Sequence, residues 1–129
     1  MSRSGYDDCC LGGYELYRAS VKRAIRGKRG QAFLRELAAA MDAMPVRELI
    51  SGKLVREDGA CCTIGVVCQS RGLDVSRLDY EDPWLDGHAV GIATVMAAEI
   101  AYENDEVVYP EDPAQRWVRM RKWVEGNFR

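Results

Sequence analysis

Three of the five cysteines fall in one mid-chain run, Asp58-Gly59-Ala60-Cys61-Cys62-Thr63-Ile64-Gly65-Val66-Val67-Cys68. Placed at a helix N-terminus, Cys61 or Cys62 would have its thiolate favoured by the helix dipole, which is the requirement for a sulfur nucleophile. Such a nucleophile also needs a base, and His88 is the only histidine, with Asp86 near enough in sequence to orient it. No recognisable signature surrounds either cysteine, so the competing reading, small cysteines packing a core, is preferred and no catalytic residue is assigned. Zinc could draw on Cys9, Cys10, Cys61, Cys62 and His88. Structural zinc usually takes ligands two to four residues apart, and side chains of vicinal cysteines diverge. The expectation is therefore no metal and no cofactor.

The other reactive groups are charges. Tyr102-Glu103-Asn104-Asp105-Glu106, followed by Glu111 and Asp112, forms a knot of acid without the spacing or the glycine of a calcium loop. Glu103, Asp105, Glu106 and Glu111 are the candidate acidic binding surface, able to imitate a nucleic-acid backbone on a basic partner. Acid at a helix C-terminus is unfavourable by a few tenths of a kcal/mol or more per charge, roughly, so compensation by Arg116 or Arg119 is the structural alternative. Arg18, Lys22, Arg26 and Arg29 recur at helical spacing and form a candidate basic stripe for phosphates or an acidic protein.

The net charge of -2 conceals this segregation. Residues 13–35 carry seven Lys or Arg against Glu15 alone, and residues 74–112 carry eleven Asp or Glu against Arg77 alone. Such a layout predicts a basic face and an acidic face unless the two meet and cancel. At 47% hydrophobic and 29% charged, the chain is too apolar for disorder and long enough for one core without staples. No apolar run suits a membrane span, and the N-terminus lacks a signal-peptide core, so a cytoplasmic location is expected. Vicinal cysteine pairs and an odd cysteine count suit reduced thiols.

The elements that must position these groups read as mainly α: about five helices with one short β-hairpin. Residues 1–12 read as a loosely ordered arm, and 13–129 as a single helical domain. Tyr14, Tyr17, Val21 and Ile25 give the first helix an apolar stripe. After Gly-Lys-Arg-Gly, a second helix runs from about Gly30 to Met44, and Arg47–Ile50 suggests one more helical turn. Lys53–Arg56, the turn Glu57-Asp58-Gly59 and Ala60–Cys62 suggest the hairpin, leading into a helix that ends at Gly72. Gly65 on that helix would admit another backbone. Asp82-Pro83 is a possible helix start, a helix is expected over roughly Ala89–Glu103, and Asn104 is a plausible stop. Asp112 and Pro113 open the last helix, whose stripe is Trp117, Met120 and Val124 while Arg116, Arg119, Arg121 and Lys122 occupy its other faces.

Four segments together carry a resemblance: Arg26-Gly27-Lys28-Arg29-Gly30-Gln31-Ala32-Phe33-Leu34, Cys62-Thr63-Ile64-Gly65-Val66, Glu99–Asp105 and Arg116–Val124. Across about residues 13–126 the chain resembles small proteins encoded by tailed bacteriophages and prophages. The resemblance implies a context, the host bacterial cytoplasm, and no site roles. Accessory phage proteins of this size often act on host machinery, CRISPR and related defences included. The leading expectation is thus stoichiometric binding to a host protein or complex, in the manner of an anti-CRISPR. A nucleic-acid-binding module using the basic stripe is the alternative, and a Cys-dependent enzyme ranks last.

Overall fold

The computed structural model describes residues 13–129. Helix α1 (Gly13–Arg26) and helix α2 (Lys28–Asp42) are separated by one residue, Gly27, whose extended ψ of 166° breaks the helical path. This puts Arg29 on α2, so the basic stripe read through Arg18, Lys22, Arg26 and Arg29 is divided between two helices. Of the apolar stripe expected on α1, Val21 and Ile25 are buried and Tyr17 is half-buried, but Tyr14 is exposed; on α2, Leu34, Leu37 and Met41 are buried.

The centre of the molecule is α3 (Thr63–Arg71), nine residues long, with Thr63 through Cys68 all buried. A helix so short is marginal in water and exists here because neighbours cover it on every side. It packs on α2, on α4 (Pro83–Val90) and on α5 (Thr94–Asp105). Full burial of Ile64 and Val67 contributes about 1.5–3 kcal/mol each relative to exposure. Gly65 permits the closest approach: a Cβ there would lie 2.0 Å from the Leu54 carbonyl oxygen and 2.9 Å from the Cys61 Cβ. Gly72, in the left-handed region (φ 68°), closes the helix as expected.

The predicted β-hairpin is absent among the described residues. What remains is a single antiparallel bridge, Val55 to Cys61, around a turn in which Asp58 accepts from Ala60 N–H at 3.0 Å and from the Arg56 guanidinium. The returning arm has no length to pair further: Cys62 N–H, bonded to the Leu54 carbonyl at 3.0 Å, makes the last bond of the bridge, and the chain enters α3 at Thr63. Nor does Arg47–Ile50 form a helical turn; it is irregular chain that buries Leu49 and donates Leu49 N–H to the Pro113 carbonyl at 3.0 Å.

The helix expected over Ala89–Glu103 is two helices. Helix α4 starts earlier, where Asp82 accepts from Leu85 N–H at 3.1 Å and Pro83 occupies the first turn. It ends at Gly91, whose φ of 84° reverses the chain while Ile92 N–H bonds back to the Gly87 carbonyl. Helix α5 then carries Met96, Ile100 and the alanines into the core and passes Asn104 to end at Asp105. Helix α6 (Pro113–Gly126) is capped by Asp112, which accepts from Gln115 N–H at 2.8 Å. It buries Trp117, Met120 and Val124 as predicted. It also buries Arg116, which the sequence placed on a face other than the apolar stripe.

The described residues thus hold six α-helices and one 3-10 turn at Val75–Arg77, with one apolar cluster drawing on all six. No helix among them is long and apolar enough to cross a membrane. The arm read at residues 1–12 lies outside the described residues.

Candidate functional site

The acid knot becomes part of the framework. Glu111, almost wholly buried, receives both Arg119 Nε and a terminal nitrogen at 2.8 and 2.9 Å, and lies 3.4 Å from Arg116 Nε. Glu103 lies 4.0 Å from Arg119. Asp105 accepts from Asn104 Nδ2 at 2.6 Å and from the Tyr80 hydroxyl. Glu106 is exposed. Of the four residues read as an acidic surface, then, Glu111 is internal, Glu103 and Asp105 are partly covered, and Glu106 alone lies open to solvent. The arginines of α6 also receive the dipole of α5: Arg116 Nε and Arg119 donate to the Asn104 carbonyl at 3.0 and 3.4 Å.

Asn104 is the hub of this arrangement. Its Oδ1 accepts from Thr63 N–H at 3.2 Å and from the Thr63 hydroxyl at 2.7 Å, fixing the N-terminus of α3, while Nδ2 donates to the Ile50 carbonyl at 3.0 Å. Elsewhere in the acidic segment Asp74, Asp82 and Asp112 cap backbone N–H groups, and Asp86 and Glu99 are buried. Of the eleven carboxylates, Asp74, Asp79, Glu81, Glu106 and Asp112 remain exposed.

The thiols are equally internal. Cys61, Cys62 and Cys68 are buried and unbridged. Burial pushes the Cys61 thiol up to about 11, helped by Cys68, and burial pushes Cys68 up to about 11 as well, helped by the Asp86 charge. Thiols held so high are protonated at neutral pH and are poor nucleophiles. Cys62 occupies the N-cap of α3, yet its side chain makes no capping bond. His88 lies exposed on α4, stacked on Trp84 with ring centroids 5.5 Å apart, and no hydrogen bond joins it to a cysteine among the described residues. No group of His, Cys, Asp or Glu among the described residues is disposed to hold a metal ion. Cys9 and Cys10 lie outside them.

The basic stripe leads to a site that the sequence did not disclose. Arg18, Lys22 and Arg26 form one side of a groove of about 460 Å³; Arg29 is exposed but does not line it. The opposite side comes from the end of the chain: Trp123, Phe128 and Arg129. Gln31 fastens that segment to the junction of α1 and α2. Its Nε2 donates to the Ile25 and Asn127 carbonyls at 2.8 and 2.9 Å, and its Oε1 accepts from Arg129 N–H at 2.8 Å. Arg35 covers the Phe128 ring at 4.8 Å.

The floor of the groove is acidic. Glu99, 3% exposed, and Glu103, one turn further along α5, both line it. Arg18 lies 3.5 Å from Glu99 Oε2, whereas Glu99 Oε1 has no hydrogen-bond donor among the described residues. The effect of this charge is felt nearby. Burial, then Glu99, raises Tyr17 to about 12, and burial, then Glu99, holds Glu103 above the usual carboxylate range against Arg119 and Arg18. Glu99 carried one sequence signal, a lone carboxylate inside the apolar run Met96–Ala101. Trp123 and Phe128 carried none that pointed to a groove. An aromatic wall, a cationic rim and a carboxylate floor can hold a polar ligand; none of the described residues that line the groove forms a nucleophile beside a base.

No family model matches this sequence, and neither the curated proteins nor the solved structures contain a match. The resemblance to phage-encoded proteins gains no support from these comparisons.

Proposed function

We propose that this chain is a binding protein that engages a partner stoichiometrically through the basic face of α1 and the start of α2. In the phage context that its sequence resemblance implies, the partner is a host bacterial protein or complex, with defence complexes as the target class. One observation carries the reading. Lys22, Arg26, Lys28 and Arg29 are exposed and form no ion pair among the described residues, while of the acids read as a binding surface Glu111 is paired with Arg119 in the interior and Glu103 and Asp105 are partly covered. This unpaired positive face favours an acidic partner surface. The raised thiols and the isolated His88 weigh against a Cys-dependent enzyme.

Affinity capture from bacterial lysate, comparing wild type with Lys22→Glu/Arg26→Glu/Arg29→Glu, tests this. The wild type should retain a protein in fixed ratio that the variant and moderate salt release. Recovery that is identical for both, or of the bait alone across several hosts, would sink the reading. Nucleic acid is the second reading, favoured by Trp123 beside the same cations, an arrangement suited to stacking a base next to its phosphate. Oligonucleotide binding that weakens with salt, with a log–log slope of about -0.7 to -0.9 per phosphate contacted, would support it over the protein partner.

A further inference from the structure

We propose that the groove between α1, α5 and the chain end is a ligand site for a guanine nucleotide. The inference does not rest on the partner reading, although the two share Lys22 and Arg26, since it starts from the floor of the groove. Glu99 is the reason to look for a ligand there. Its carboxylate is almost wholly buried, its Oε2 stands at 3.5 Å from Arg18, and its Oε1 has no donor among the described residues. A buried carboxylate oxygen without a donor is costly, so a ligand that supplies one gains what the folded chain forgoes.

A carboxylate only accepts, and it accepts best from two adjacent donors, one for each oxygen. Guanine presents such a pair, the ring N1–H beside the exocyclic amino group. Adenine and cytosine each place an acceptor nitrogen next to their amino group, which a carboxylate repels. Uracil sets its single N–H between two carbonyls. Glu103, on the same face of α5, adds a second acceptor at the floor.

The rest of the groove suits the rest of a nucleotide. Arg18, Lys22, Arg26 and Arg129 surround it with four cations, two or more of which can share a phosphate. Phe128 has one face under Arg35, so Trp123 is the wall left for base stacking. Arg18 joins the two ends of the site. Its side chain is 40% exposed, and a phosphate at the rim draws its guanidinium away from Glu99 as the base edge arrives. A volume of about 460 Å³ lies within the roughly 300–1,000 Å³ range of small-molecule sites.

Titration calorimetry at low salt with GMP, AMP and inorganic phosphate, backed by Trp fluorescence, provides the test. GMP should bind at one site per chain, at least tenfold more tightly than AMP, with phosphate weaker than both. In Glu99→Gln, which offers one acceptor and one donor, the GMP-to-AMP ratio should collapse toward one. Lys22→Glu/Arg26→Glu should weaken both nucleotides while leaving their ratio in place. Equal affinity for GMP and AMP, affinity no better than that of phosphate, or no binding of GMP would each overturn the proposal. So would a folded Glu99→Gln that keeps its preference. The wild-type ratio decides the matter even if that variant does not fold. GMP binding by a protein that captures nothing from lysate would uphold this site and sink the partner reading, and the converse result would do the reverse.

Discussion

Replacing Asn104 by alanine should be among the most damaging single changes in the molecule. The side chain is 1% exposed and makes four hydrogen bonds, to Thr63 N–H, the Thr63 hydroxyl, the Ile50 carbonyl and Asp105. Alanine removes all four at once. Thr63 N–H is buried at the first turn of α3 and loses its acceptor outright, a loss of about 1–3 kcal/mol. The Thr63 hydroxyl can rotate to another acceptor, the Ile50 carbonyl is only partly buried, and Asp105 keeps Tyr80, so these three together add about 2 kcal/mol. The total is about 3–5 kcal/mol, a large share of the roughly 5–15 kcal/mol by which a domain is stable. At about 4 °C per kcal/mol for a chain of this size, Tm should fall by roughly 10–20 °C.

Urea unfolding followed by Trp fluorescence measures this directly, and an unchanged m-value would show that the unfolded state is not the cause. Thr63→Val combined with Asn104→Ala should cost little more than Asn104→Ala alone, since the one bond that Thr63→Val removes, from the Thr63 hydroxyl, is already lost in Asn104→Ala. A loss for Asn104→Ala under about 1 kcal/mol would refute the view that this residue joins the acid knot to α3.

Gly65→Ala sets a Cβ 2.0 Å from the Leu54 carbonyl oxygen, which already accepts from Cys62 N–H, so the loop and α3 must separate. A loss of about 3 kcal/mol or more is expected in the same urea assay, and a near-neutral result would mean that the approach relaxes easily. Glu103 makes a prediction about pH. Burial and the Glu99 charge raise its carboxyl, so the folded protein holds that proton to a higher pH than the unfolded chain does. The contribution of this group to stability therefore falls as pH rises from the ordinary glutamate value through the raised one. The stability of Glu103→Gln relative to wild type should climb over that window above the ordinary glutamate value and then level off; a difference flat with pH would contradict the assignment.

The helical class, the apolar stripes and most helix boundaries could be read from the chain because their causes are local. Val21 with Ile25, and Trp117 with Met120 and Val124, recur at the period of a helix and are buried on it. Asp112 with Pro113 and Gly72 act through bonds to residues a turn away. The break at Gly91 was equally local, yet it was missed because alanines and apolar residues run past it on both sides. The hairpin failed for a related reason: turn chemistry at Asp58-Gly59 specified the turn but not the length of the arms.

The roles of the charges other than the helix caps belonged to the tertiary structure alone. A sequence shows how many carboxylates lie between residues 74 and 112, but a carboxylate becomes a surface, a cap or a buried partner according to what stands 3 Å away. Glu111 is internal because α6 returns Arg119 to it, and Glu99 is internal because α1 and the segment at Trp123–Arg129 close over α5. Those partners come from helices far apart in the chain, and periodicity reports which face of a helix is inside without reporting which faces meet. The sequence alone thus placed the cations on α1; packing set a carboxylate with a donor-less oxygen, Glu99, beneath them, and that pairing, present in no single segment, makes the groove a site.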